Sequence, residues 1–151
     1  MRTSTAIALL FLLTGCATTR TYQVSVKNQT RDAITIGLVK EGEPAERAWV
    51  SPEDAAIHGA VPSPEMWAAI PPEKTADAGP VKGRFKAHAI AVLRVYDGKL
   101  SLSDILAISR GQRNRIDIPL HSGLNRVIVT DADGRFSAIR DDGVTLVGGQ
   151  Q

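Results

Sequence analysis

Ala89-Ile90-Ala91-Val92-Leu93-Arg94-Val95-Tyr96, followed by Asp97-Gly98, decides the fold. β-Branched and aromatic residues dominate it, its length suits a strand, and Asp-Gly is turn chemistry. It is the most apolar stretch beyond the first residues and reads as the central strand. Upstream, Tyr22, Val24 and Val26 alternate with Gln23, Ser25 and Lys27, the period of a half-buried strand. Asn28-Gln29-Thr30-Arg31-Asp32 is turn-rich, and Ile34, Ile36 and Leu38 alternate again. The two runs read as a hairpin that Glu41-Gly42-Glu43-Pro44 closes.

Downstream, residues 105–109 are read as a strand, in preference to a helical turn capped by Ser103. Arg115-Ile116-Asp117-Ile118 alternates, and 125–130 place Val127 and Val129 on one face. Asp133-Gly134 and Asp142-Gly143 are hairpin signals, with Phe136, Ile139, Val144 and Leu146 supplying the last two strands. Residues 45–83 are the least regular part. Ser51-Pro52-Glu53-Asp54 and Ser63-Pro64-Glu65 are helix starts, and Gly59 and Pro71-Pro72 stop both helices early. Trp49, Trp67 and Ile70 are expected to cap one end of the core.

The fold class that follows is all-β: an antiparallel β-sandwich of about seven to nine short strands, with a short-helix insertion around 51–70. The domain is expected over 22–147, with 148–151 a loose tail. Ile34, Ile36, Leu38, Ile90, Val92, Val127 and Val129 should be buried. The run from Val24 to Ile34, Pro71-Pro72 and the apolar strand after it resemble immunoglobulin-size β-sandwich domains, the β-domain of the von Hippel-Lindau protein among them. That resemblance covers about half the chain and carries no ligand-binding residue across.

A chain of 151 residues fits one domain, and 23% charged residues with 43% hydrophobic ones is ordinary globular composition. A net charge of +2 gives no nucleic-acid footprint, and 5% aromatics leave little for a base- or sugar-stacking platform. The single Cys excludes an internal disulfide framework and a cysteine-rich zinc site.

That Cys ends the first segment. Ala6-Ile7-Ala8-Leu9-Leu10-Phe11-Leu12-Leu13 is an apolar run of eight residues. It is too short for a bilayer span, which needs about 20 residues, and right for a signal-peptide core. Leu13-Thr14-Gly15-Cys16 resembles the lipobox of bacterial lipoproteins. The resemblance implies a signal peptide over 1–15 with Leu13, Thr14 and Gly15 recognised by the peptidase. It also implies a diacylglyceryl thioether on Cys16 and an acylated (palmitate-type) new amino terminus. Ala17, where enteric lipoproteins retained at the inner membrane carry Asp, leans towards the periplasmic face of the outer membrane where the source has one. A tether over 16–21 would hold the domain within roughly 17 Å of the headgroups.

Other chemistry is thin. Asp131-Ala132-Asp133-Gly134 fails as a calcium loop, because Val129 and Arg140 fall where the strongest ligands belong. His58, His88 and His121 are far apart, and lipidation of Cys16 removes the thiolate a blue-copper site needs. No serine-nucleophile motif or phosphate loop occurs, and Glu53, Asp54 and Glu65 read as helix N-terminal acids. No catalytic residue, metal ligand or cofactor is therefore expected beyond the covalent lipid. Arg110, Arg113 and Arg115 cluster around a turn and are candidates for contact with an anionic surface; Lys82, Arg84 and Lys86 form a second basic run.

The reading is a membrane-anchored, non-enzymatic envelope lipoprotein that binds or supports an envelope protein or polymer. The alternatives are a small envelope enzyme or accessory subunit built around 45–83, and a carrier of a small apolar ligand.

Overall fold

The computed structural model describes residues 17–43, 46, 49–59, 63–108, 115–131 and 136–147. The expected signal segment, Cys16 and the 148–151 tail lie outside them.

Two sheets form the sandwich. Sheet A has the order β4-β1-β7-β8-β9 and sheet B the order β3-β2-β5-β6. The strands are β1 (Thr18–Gln29), β2 (Ile34–Glu41), β3 (Trp67–Ile70), β4 (Thr75–Phe85), β5 (Ile90–Asp97), β6 (Arg115–Pro119), β7 (Gly123–Thr130), β8 (Ser137–Arg140) and β9 (Thr145–Val147). Between the sheets lie Tyr22, Val24 and Val26 of β1, Ile34, Ile36 and Leu38 of β2, Leu93 and Val95 of β5, and Val127 and Val129 of β7. Period-two alternation puts each set on one face. β5 is central in sheet B, hydrogen-bonded to β2 and β6.

The outer face of sheet B is buried as well. Thr35, Val39, Val92, Arg94 and Tyr96 point away from the core, yet each is at most 5% exposed. Helices α1 (Pro52–His58) and α2 (Leu102–Ile108) contact each other, and each buries one apolar residue, Ala55 and Ile105. Thr35 Oγ1 fixes the chain entering α2, donating to the Gly98 carbonyl at 2.8 Å and accepting from Leu100 N at 2.9 Å. β2 and β5 are thus apolar on both faces because both faces are covered.

Several expectations change. β1 and β2 are not a hairpin, because they sit in different sheets. The connection between them passes from one sheet to the other, and Asn28 holds it with a side chain that donates to Asp32 O and Ile70 O, both at 2.9 Å. Asn28 Oδ1 also accepts from Thr30 N and Thr30 Oγ1. The sandwich is not wholly antiparallel either. β1 and β7 run parallel, both entering sheet A at the same end.

The irregular 45–83 stretch contains two strands, β3 and β4, rather than a pure insertion. Ser51 caps α1 with a full capping box to Asp54, as its sequence suggests. The second expected helix shrinks to one 3₁₀ turn at Pro64–Met66, since 67–70 pair with β2. Residues 105–108 belong to α2, not to a strand; Ser101 rather than Ser103 caps it, its Oγ accepting from Asp104 N at 3.2 Å.

Of the expected core, only Ile90 is exposed, at 43%, on the first residue of β5. Trp49 and Ile70 are buried in the core, whereas Trp67 is half-buried at the sheet edge. The tether expected over 16–21 is not one: β1 begins at Thr18, and 18–21 pair with 82–85 of β4.

Candidate functional site

Strand direction gives the sandwich two distinct ends. The β4–β5 turn, the 120–122 connection and the 141–144 turn share the end that carries Thr18. The 30–33 and 71–74 connections and the start of β6 lie at the other. Arg115 opens β6 opposite Tyr96, so it lies at the end away from Thr18. Its guanidinium is held by Asp117 at 2.8 Å. Arg110 and Arg113 are outside the described residues, as are Leu13, Thr14, Gly15 and Cys16.

An open groove of about 840 Å³ runs between the free edges of the two sheets. Trp67 and Ala68 of β3 line one side, and Asp77, Gly79, Pro80, Val81 and Lys82 of β4 the other; Ser63, Glu65, Met66 and Thr21 complete it. Trp67 can lie across its neighbour because Gly37, paired with it, has no side chain. β4 bulges here: Gly79 and Pro80 face the single residue Gln23. Pro80 has no N–H to offer and Lys82 carries charge, two features that discourage a foreign strand from adding to this edge. Trp67 Nε1 is buried and has no hydrogen-bond partner among the described residues.

Three charged clusters lie elsewhere. On the outward face of sheet B, Arg94 pairs with Glu41 at 2.8 Å and with Asp117 at 3.6 Å. Burial holds the Asp117 carboxyl above the usual aspartate value, although Arg94 and Arg115 pull it down. Lys40 continues the inward parity of Ile34, Ile36 and Leu38 and closes the core end over the Phe85 ring, 4.9 Å from its centroid. Its ammonium meets Glu43 at 2.5 Å, Glu46 at 3.2 Å and the Arg84 carbonyl. The Lys40 hydrogen bond holds the Glu43 carboxyl below its usual value.

Arg140 ties the sheets together, donating to the Pro119 carbonyl and pairing with Asp142 at 2.5 Å. That pairing, with a further contact from His121, holds Asp142 far below the usual aspartate value and raises Arg140. Sequence reading missed Arg94 and Lys40, whose signals are a lone cation in an apolar run and a lysine in phase with a core face.

The histidines do not meet. His58 ends α1, His88 sits in the β4–β5 turn and His121 precedes β7, all exposed. Among the described residues no three His, Cys, Asp or Glu side chains are grouped to hold a metal. Asp131 accepts from Arg31 N at 3.2 Å, while 132–135 are outside the described residues. Asp54 is used by the α1 cap, and Glu65 borders the groove. No helix among the described residues is long and apolar enough to cross a membrane. No protein-family model matches the chain, and no curated protein matches it.

Proposed function

We propose that the chain is a lipid-anchored envelope lipoprotein, held on the extracytoplasmic side by acyl chains on Cys16. Its non-enzymatic sandwich binds or supports an envelope partner. The observation that carries this is Leu13-Thr14-Gly15-Cys16 at the end of an eight-residue apolar run, with the only Cys of the chain in the modifiable position. Each buried CH₂ contributes about 0.8 kcal/mol, so two or three acyl chains hold firmly where one does not. The start of a folded domain two residues after Cys16 suits an anchor that leaves the domain on the bilayer surface.

A binding role at the surface is supported by the interior and the edge together. Tyr22, Trp49 and Phe85 fill one end of the core with ring centroids 5.0 to 5.6 Å apart, and the open groove lies outside it. Cells fed a labelled fatty acid test the anchor. Wild type takes up label and sediments with membranes, and Cys16→Ser takes up none, remaining as precursor or appearing in the soluble fraction. Equal labelling of the Cys16→Ser protein refutes the reading.

A further inference from the structure

We infer that the β1–β4 ribbon next to Cys16 is a docking surface for anionic lipid headgroups, fixing the domain on the bilayer with its β4 edge down. This rests on the lipoprotein reading. β7 first pairs with β1 at Tyr22, so residues 18–21 and their partners 82–85 continue past the start of β7 as a two-stranded ribbon, one face of which packs on Trp49. Four residues extend about 13 Å.

The ribbon and the turn after it carry Arg20, Lys82, Arg84 and Lys86, all exposed. Among the described residues none of these four side chains makes an ion pair within 4.0 Å, whereas Lys40, Arg94, Arg115 and Arg140 all do. Lys86 lies near enough to Glu43 to help lower the pKa of its carboxyl. The nearby acids are engaged: Glu43 and Glu46 pair with Lys40 and accept from the backbone N–H groups of Lys86 and Arg84. The local balance is positive.

The anchor lies on the same side. Cys16 precedes Thr18 by two residues, a reach of roughly 7 Å, which is within one Debye length of about 8 Å at physiological salt. Across the same end, Asp141 and Asp142 occupy the β8–β9 turn, three strands from β4. Asp142 is paired with Arg140 and Asp141 lies against Arg126, so that side is near neutral and the cationic excess sits beside the anchor. A planar anionic surface attracts the cationic side and not the neutral one, which sets a tilt as well as a contact. Ile90, 43% exposed where β5 leaves the β4–β5 turn, adds an apolar residue at the same rim.

The experiment uses the full lipidated chain in vesicles of phosphatidylethanolamine and phosphatidylcholine, with or without phosphatidylglycerol. A water-soluble amine-acylating reagent reports the exposure of each lysine, read by peptide mass spectrometry. Lys74 and Lys99, exposed at the far end, are internal references.

With phosphatidylglycerol at low salt, Lys82 and Lys86 should label several-fold more slowly while Lys74 and Lys99 are unchanged, and molar salt should erase the difference. Each cation near an anionic surface contributes about 1 kcal/mol, roughly fivefold in the docking equilibrium. Arg20→Gln with Arg84→Gln should therefore return Lys82 and Lys86 towards their rates on neutral vesicles. Equal rates on both vesicle types overturn the inference, as does equal slowing of all four lysines. Slowing by a soluble acidic polysaccharide but not by anionic vesicles reassigns the surface and also overturns it. Mass spectrometry of the same sample reports Cys16. An unacylated Cys16 removes the lipoprotein reading and this inference together, whereas acylation without selective protection removes this inference alone.

Discussion

Replacing Gly37 with Ala should destabilise the domain through one contact. A Cβ at Gly37 would lie 2.1 to 2.3 Å from three carbons of the Trp67 ring, where carbon atoms rest at about 3.5–4.0 Å. Gly37 has no positive φ, so no dihedral penalty enters. The indole has to leave the sheet. It then loses its place beside Tyr96, 6.1 Å away between centroids, an aromatic contact of about 0.5–1.5 kcal/mol. Overpacking costs about 1–3 kcal/mol, and the strand gains about 0.5–1 kcal/mol from replacing glycine. The net loss is about 1–3 kcal/mol, or roughly 3–10 °C in Tm.

Urea and thermal unfolding of the single and double variants separate the cause. With Trp67→Ala already present, Gly37→Ala should be neutral or slightly stabilising, giving a coupling of at least about 1 kcal/mol in the cycle. An equal cost in both backgrounds would refute the steric account.

Three further outcomes follow from buried or paired polar groups. Asn28→Ala strips partners from Thr30 N, Asp32 O and Ile70 O and should cost about 2–4 kcal/mol in urea unfolding; a loss under about 0.5 kcal/mol would show that the connection does not depend on it. Asp142 is held below its ordinary value of 3.8, so its stabilisation is present above that pH and is lost as pH falls through the lower folded value. Asp142→Asn should flatten the acid limb of stability against pH, and an unchanged limb would contradict the pairing. Asp117 has the opposite sign. Its raised folded value means that stability declines as pH climbs from 3.8 through that value, a decline Asp117→Asn should abolish.

Which side of each strand faces inward was legible, because burial imposes period two on β1, β2 and β7. Which sheet a strand joins was not. In a sandwich both sheets turn the same alternation inward, so β1 and β2 look like hairpin partners whether or not they pair. The deciding feature is Asn28, a polar residue that reads as turn chemistry and acts as a buried plug. β4 was hidden for a different reason. Its inward positions run Ala76, Ala78, Val81, Gly83 and Phe85, broken by the bulge at Gly79 and Pro80. At Gly83 the volume comes from elsewhere: a Cβ there would meet Trp49 Nε1 at 2.6 Å. The strand looks irregular because the tryptophan that completes its face arrives from 34 positions earlier in the chain. α2 was more legible than it was read, since Ser101-Leu102-Ser103-Asp104 has the spacing of a capping box.

The same limit governs the end of the molecule that matters most for an anchored protein. Thr18, Thr19, Arg20 and Thr21 are polar and follow a signal-like segment, so composition makes them a tether. They form a strand because β4 supplies backbone partners from Arg84, Gly83 and Lys82, residues that sequence alone presents as a basic run in an irregular region. Pairing turns two weak local signals into one feature. Any tether from Cys16 shortens to Ala17, and cations more than 60 positions apart in the chain join one ribbon, Arg20 on the Gly83 face and Lys82 and Arg84 on the opposite face. A flexible leash of five residues would let the domain sample many tilts and average out its charge. A strand that starts two residues after Cys16 would not, so under the proposed anchor the distribution of charge around that end would determine orientation rather than solubility alone.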